Sequence, residues 1–97
     1  MTSKGKKWRI AKIANSARKN ILDLELGSQK AVLHQWEVLE LNPYGCDIKK
    51  IAGKKNIYRG RIGNYRYYFR LESSSKSIEI LLFETRGSIK QKNIQRM

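Results

Sequence analysis

Residues 58–71 read YRGRIGNYRYYFRL, and this stretch decides the fold. Two alternating runs flank Gly63-Asn64. A two-residue connection of this kind joins antiparallel strands, because Gly and Asn tolerate the positive φ that such turns need. The turn also sets the register. It places Ile62 opposite Tyr65, Arg61 opposite Arg66, Gly60 opposite Tyr67, Arg59 opposite Tyr68 and Tyr58 opposite Phe69. Side chains alternate faces along a strand, and opposed residues share a face. Tyr58, Ile62, Tyr65, Tyr67 and Phe69 therefore make a core face. Arg59, Arg61, Arg66, Tyr68 and Arg70 make a basic face with an aromatic in it. Arg61 opposite Arg66 is a like-charge pair, which costs stability across a hairpin. Either a nearby carboxylate or a bound polyanion offsets it, or the two guanidinium groups splay into water at little cost.

Outward from the hairpin, residues 44–56 read as a loop with Gly45, Gly53 and four lysines, pinned to the core by Ile48 and Ile51. On the other side, residues 73–76 form a polar turn. Residues 77–85 then read as a third strand with apolar residues on both faces, Ile78, Ile80 and Leu82 on one and Leu81 and Phe83 on the other, as suits a central strand. At the start of the chain, residues 8–13 alternate loosely and predict a short first strand. Ala17, Ile21 and Leu24 recur at helical spacing. They predict a helix over 16–26, capped by Asn15 or Ser16 and ended by Gly27. A second helix begins at Ser28, carries Val32, Leu33, Trp36, Leu39 and Leu41 as its apolar stripe, and stops at Asn42-Pro43 because a residue before proline avoids helical geometry. The expected architecture is α+β: a largely antiparallel sheet of about four strands with an N-terminal αα-hairpin packed on one face. One domain spans 1–97, and its basic ends, 1–7 and 88–97, are expected to be mobile.

Composition narrows the function. The chain has 97 residues, 40% of them hydrophobic, enough for one domain with a modest core. The formal net charge of +13 predicts a polyanionic partner: nucleic acid, an acidic protein or an anionic surface. The charge is also concentrated. Lys49, Lys50, Lys54, Lys55, Arg59, Arg61, Arg66 and Arg70 fall within residues 49–71, which hold no acid. No apolar run is long enough to span a bilayer, and the first residues, MTSKGKKW, lack the apolar segment of a secretory signal. With the single cysteine Cys46, this leads to the expectation of a cytoplasmic protein without a membrane partner.

The usual catalytic sets are missing. His34, the one histidine, lies mid-helix, so no histidine pair can form. The acids show no metal-ligand spacing, the glycines form no phosphate-cradling loop, and Cys46 reads as a free thiol. No metal and no cofactor are expected. The remaining groups are basic and aromatic, and they can handle a phosphodiester. Arginine stabilises charge on a pentavalent phosphate, lysine orients a backbone or transfers a proton when like-charged neighbours lower its pKa, and tyrosine stacks on a base. The same groups also suffice for a binding patch without chemistry.

The pattern resembles the RelE/ParE superfamily of bacterial and archaeal toxins. The likeness runs through most of the chain: a first strand, an αα-hairpin, a lysine loop ending in glycine (KKIAG, 49–53), the hairpin YRGRIGNYR (58–66), similar to a Y-R-x-R-x-G-x-Y-R core, and a hydrophobic strand closed by an arginine (ETRG, 84–87). The resemblance implies a compact α+β fold, a toxin held by a cognate antitoxin, and, for RelE-type members, cleavage of mRNA in the ribosomal A site by metal-free transesterification. By position it assigns catalysis to Lys50, Arg61, Arg66 and Arg86, with Arg86 as the ligand of the transition-state phosphate. It implies that Lys50, with Lys54 or Lys55, holds the RNA backbone; Lys49, Arg59, Tyr68 and Lys90 complete the expected RNA-binding set from the basic patch itself, with Tyr68 stacking on a base. Two positions depart from the family pattern. Ala52 stands where a basic residue is frequent, and the tyrosine that commonly follows the closing arginine is absent, with Lys90 in its place. Two other functions fit the same residues: a ParE-like inhibitor of DNA gyrase, which does not need the catalytic set, and a non-catalytic basic module that binds RNA or the ribosome.

Overall fold

The computed structural model describes residues 7–85. Arg86, Lys90 and nearly all of both basic ends lie outside the described residues; Lys7 lies inside, its backbone N–H donating to the carbonyl of Glu40. The elements in chain order are β1 (Arg9–Ile13), α1 (Asn15–Leu22), α2 (Leu26–Leu41), a single 3-10 turn (Pro43–Gly45), β2 (Ile48–Lys50), β3 (Ile57–Ile62), β4 (Tyr65–Glu72) and β5 (Ser77–Glu84). The five strands form one sheet in the order β1-β5-β4-β3-β2. β1 runs parallel to β5, and the other pairs are antiparallel. This is the expected α+β arrangement with one strand more than anticipated.

The β3–β4 hairpin has the register that its turn dictates: all five expected pairs, from Ile62–Tyr65 to Tyr58–Phe69, are observed. Gly63 has φ of 58°, whereas Asn64 is not among the positive-φ residues. Positive φ at the first central position alone is the pattern of a type II′ turn. The extra strand, β2, falls inside the stretch expected to be loop. Its three residues, Ile-Lys-Lys, carry no alternation that could announce it. It forms because the outer edge of β3 offers unpaired backbone groups, and Ile48, Lys49 and Lys50 pair there with Gly60, Arg59 and Tyr58. Gly53 and Asn56, both at positive φ, then turn the chain into β3.

Both helices cover the core face. Ala17 and Ile21 from α1 and Val32, Trp36 and Leu39 from α2 are buried against Tyr67, Phe69, Leu71, Ile78, Ile80 and Phe83. Of the expected α2 stripe, Leu33 and Leu41 are exposed instead. The helix boundary also differs. α1 ends at Leu22, and Gly27 and Ser28 sit in the first turn of α2 rather than between the helices. The reason lies in the link: the Gln29 side chain donates from Nε2 to the carbonyls of Leu22 (3.1 Å) and Leu24 (2.9 Å), which closes the connection upstream of the glycine. Neither helix has a side-chain N-cap; the capping positions are Ala14 and Glu25.

The tightest point of the core is Gly60 beneath Tyr67. The two are opposite each other, and a Cβ on Gly60 would collide with the phenol end of the tyrosine, with Cζ and the hydroxyl oxygen nearest and Cε1 at 2.8 Å. Tyr67 is fully buried. It meets Trp36 edge-on (5.0 Å between centroids), stacks on Phe69 (5.4 Å) and accepts a hydrogen bond from Gln35 Nε2 at 3.1 Å. Aromatic pairs of this geometry add roughly 0.5–1.5 kcal/mol each beyond the area they bury. Burial pushes the Tyr67 phenol far above its ordinary value, with the Gln35 hydrogen bond opposing only in part.

Two predictions follow from this contact. Gly60→Ala forces Tyr67 off its seat and lowers stability by about 2–3 kcal/mol, read as the shift in urea midpoint. The raised Tyr67 pKa stabilises the fold fully below the unfolded-state value of about 10 and is lost as pH rises beyond it. Between about pH 10 and 12 the native chain therefore loses stability more steeply than Tyr67→Phe, as measured by urea titration at each pH.

Candidate nucleic-acid interface

The face of the sheet turned away from the helices carries the arginines. Pairing across the strands sorts its residues into rows, because directly opposed residues share a face. Arg61 lies opposite Arg66, and Arg66 opposite Glu84. In the next row Lys49, Arg59, Tyr68 and Leu82 follow one another across β2, β3, β4 and β5. Then come Ile57, Arg70, Glu79 and Lys12. The last row is Glu72, Ser77 and Arg9.

A bulge in β5 makes this arrangement possible. Tyr68 faces Leu82 while its neighbour Phe69 faces Ile80, so Leu81 has no partner on β4. One extra residue reverses the alternation beyond it. Ile78, Ile80 and Phe83 thereby all reach the core, and Leu82 and Glu84 turn to the arginine face. Simple alternation had placed Leu82 with Ile78 and Ile80; the bulge overturns that. The Asn20 side chain secures the site by donating to the carbonyl of Phe83 at 2.8 Å.

The rows answer the question of the opposed arginines. Arg66 has a carboxylate, Glu84, on its other side, and Arg70 makes an ion pair with Glu79 at 3.0 Å. Both members of that pair are substantially exposed, so it contributes little to stability; its effect is on the local field. The β4–β5 half of the face is close to charge balance. The β2–β3 half is cationic. There Asp47, Lys49, Arg59 and Arg61 line a shallow cleft, three cations to one carboxylate.

The structure therefore places the sequence candidates unequally. Lys49, Arg59 and Arg61 come together, with Arg66 and Tyr68 opposite Arg61 and Arg59 on the next strand. Lys50 pairs with Tyr58, so it belongs to the other face from Lys49, at the sheet edge. Lys54 and Lys55 are exposed in the β2–β3 turn and do not line the cleft. His34 is exposed on α2, in the layer behind the sheet. Burial raises the Cys46 thiol, opposed in part by a hydrogen bond with Gln35, so the thiol is not activated. Sequence reasoning missed Asp47, Glu79, Glu84 and Leu82 as members of this surface. Asp47, next to the lysine run, was the one with a signal. The others depend on the bulge and on pairing with β4. Among the described residues no group of three or more His, Cys, Asp or Glu could hold a metal ion, and no helix is long and apolar enough to cross a membrane.

A direct consequence is a cost in stability at Arg61. Arg61→Gln removes the like-charge pair and raises stability by about 0.5 kcal/mol at low salt. The gain disappears at 1 M salt, where charges are screened beyond about 3 Å. Urea titrations at two salt concentrations check both the gain and its loss.

No protein-family model and no curated protein match the sequence. Solved structures do. The RelE–RelB complex of the archaeon Pyrococcus horikoshii contains a chain 28% identical, over 84% of this chain and 97% of that one, with a TM-score of 0.71. The RelB–RelE complex of Methanococcus jannaschii gives 28% identity over 80% and 93%, with a TM-score of 0.64. The RelBE2 toxin–antitoxin complex of Mycobacterium tuberculosis, 19% identical, matches over 86% and 94% with a TM-score of 0.70 and speaks for the fold alone. The chain has a RelE-like toxin fold.

Proposed function

We propose that this chain is the toxin of a type II toxin–antitoxin pair and an endoribonuclease that cuts mRNA in the ribosomal A site. The observation that carries the reading is the cationic half of the open sheet face, where Lys49, Arg59 and Arg61 converge on a cleft within a RelE-like fold. The relatives with that fold and 28% identity are complexes of RelE with RelB, which supports a cognate antitoxin as the protein partner of this chain.

The proposed reaction is transesterification without a metal. The 2′-hydroxyl of the RNA attacks the adjacent phosphorus, the bond to the 5′-oxygen breaks, and a 2′,3′-cyclic phosphate and a 5′-hydroxyl result. A base must take the 2′-proton and an acid must protonate the leaving oxygen. A lysine is the proposed base. Arg61 and Arg66 hold the phosphate as charge builds on its oxygens, which is where fixed cations act most strongly. Arg86 is proposed as a further phosphate ligand on the strength of its position after β5 in the sequence. Lys50, at the sheet edge, together with Lys54 and Lys55 in the turn, suits contacts to the flanking RNA backbone or the ribosome rather than to the phosphate in the cleft.

Controlled expression without an antitoxin, followed by mapping of mRNA 5′ ends on translating ribosomes, tests the proposal. Cuts inside codons at the A site are expected, and Arg61→Ala and Arg86→Ala each reduce them at least about a hundredfold, the scale seen when a transition-state donor is removed. Growth arrest with intact mRNA would instead identify a gyrase-directed toxin. Normal growth would identify a binding module.

A further inference from the structure

Among the described rows of the open face, one contains no carboxylate. Arg61–Arg66 ends at Glu84, Arg70 lies beside Glu79, and the row of Arg9 includes Glu72. The row Lys49–Arg59–Tyr68–Leu82 is cationic on β2 and β3, aromatic on β4 and aliphatic on β5. Such a gradient across four strands matches the two ends of a nucleotide, one charged and one flat and apolar.

We propose that this row seats a single unpaired nucleotide, its base on Tyr68 against Leu82 and its phosphate on Arg59 and Lys49. The inference rests on the reading of the chain as an RNA-cutting enzyme and adds how one nucleotide is held there. Three features support it. Leu82, a large apolar side chain, is 37% exposed, and only the bulge at Leu81 brings it beside Tyr68. Tyr68 is half-buried, so it has less freedom to lose than a fully exposed tyrosine, which limits the entropy lost on stacking. The spacing fits as well. Neighbouring strands are about 4.8 Å apart, so Arg59 lies one such step from Tyr68 and Lys49 two, the reach from a stacked base to its own and the adjoining phosphate. Stacking needs a π-face rather than a particular hydrogen-bonding edge, so Tyr68 tolerates any base. Leu82 limits the depth of the seat, which makes it the residue that tunes preference between large and small bases. Duplex RNA, with its bases stacked on each other, cannot use the row in this way.

The test is equilibrium binding of the full chain to a fluorescently labelled ten-nucleotide single-stranded RNA and to an oligomer of the same length with abasic positions throughout. Tyr68→Ala is expected to weaken binding of the base-bearing RNA roughly five- to a hundredfold and to leave the abasic oligomer unchanged, while Tyr68→Phe binds both as the native chain does. Arg59→Gln weakens both oligomers alike and lowers the salt slope of binding by about 0.7. Leu82→Ala shifts the relative affinity for purine and pyrimidine oligomers. A Tyr68→Ala variant that loses both oligomers equally, or neither, overturns the proposal. Far-ultraviolet circular dichroism and the urea midpoint identify a variant that has merely unfolded, and Tyr68→Leu, which keeps the bulk without the ring, then replaces it. The two readings fail separately. Intact mRNA in cells alongside the base-dependent loss at Tyr68 removes the nuclease and keeps the seat; A-site cuts that Tyr68→Leu leaves undiminished, with no base-dependent loss of binding, remove the seat and keep the nuclease.

Discussion

The ring of Tyr67 occupies the space that a side chain at Gly60 would fill, and its edge and hydroxyl carry α2 through Trp36 and Gln35. Tyr67 thus ties the sheet to α2 at its most closely packed contact. Because Gly60 has no Cβ, the ring can lie down across β3 instead of standing away from it. The aromatic contacts continue from there: Phe69 stacks on Tyr67, Tyr58 stacks on Phe69, and Tyr44 meets Tyr58 and Trp8 edge-on. A core built from so many rings has few ways to slip in register, since a one-residue shift would turn every ring to the other face.

That rigidity matters for the opposite side of the sheet. The arginine face has no described helix over it, and it contains opposed like charges that work against the fold. It keeps its geometry because the core face holds the strands. The bulge at Leu81 serves both sides. It brings Phe83 into the core beneath Tyr65, 5.6 Å between ring centroids, and in the same step it delivers Leu82 and Glu84 to the open face. Charge on that face is consequently divided. Acids of β5 sit beside the arginines of β4, and the cations of β2 and β3 stay in excess. Focused charge of this kind attracts a polyanion far more effectively than the same charge spread over the surface.

The likeness to RelE structures and the physical reading of the face lead to one picture from independent directions. The fold match depends on the path of the backbone. The cationic cleft depends on side chains whose identities the backbone does not dictate. Substitution of Lys49, Arg59 and Arg61 by neutral residues would leave the fold intact and remove the reason to expect a nucleic acid on it. A fold of this kind does not by itself specify a function; the side chains set on it do.

The sequence by itself determined the hairpin, its pairing and its two faces. Those follow from local rules: a two-residue turn admits one register, and alternation does the rest. The first strand, the two helices and the concentration of charge in residues 49–71 were legible for the same reason, since each lies in a contiguous stretch. The tertiary structure decided what depends on partners distant in the chain. β2 exists because β3 has a free edge, α1 stops at Leu22 because Gln29 caps the link, and Lys49 rather than Lys50 joins Arg59 because of a pairing across residues 51–56. Above all, the neighbours of Tyr68 on β5 are set by one unpaired residue, Leu81. Alternation alone cannot reveal a bulge, because the extra residue is as apolar as those around it, and only packing against β4 and the helices selects which of them is left over.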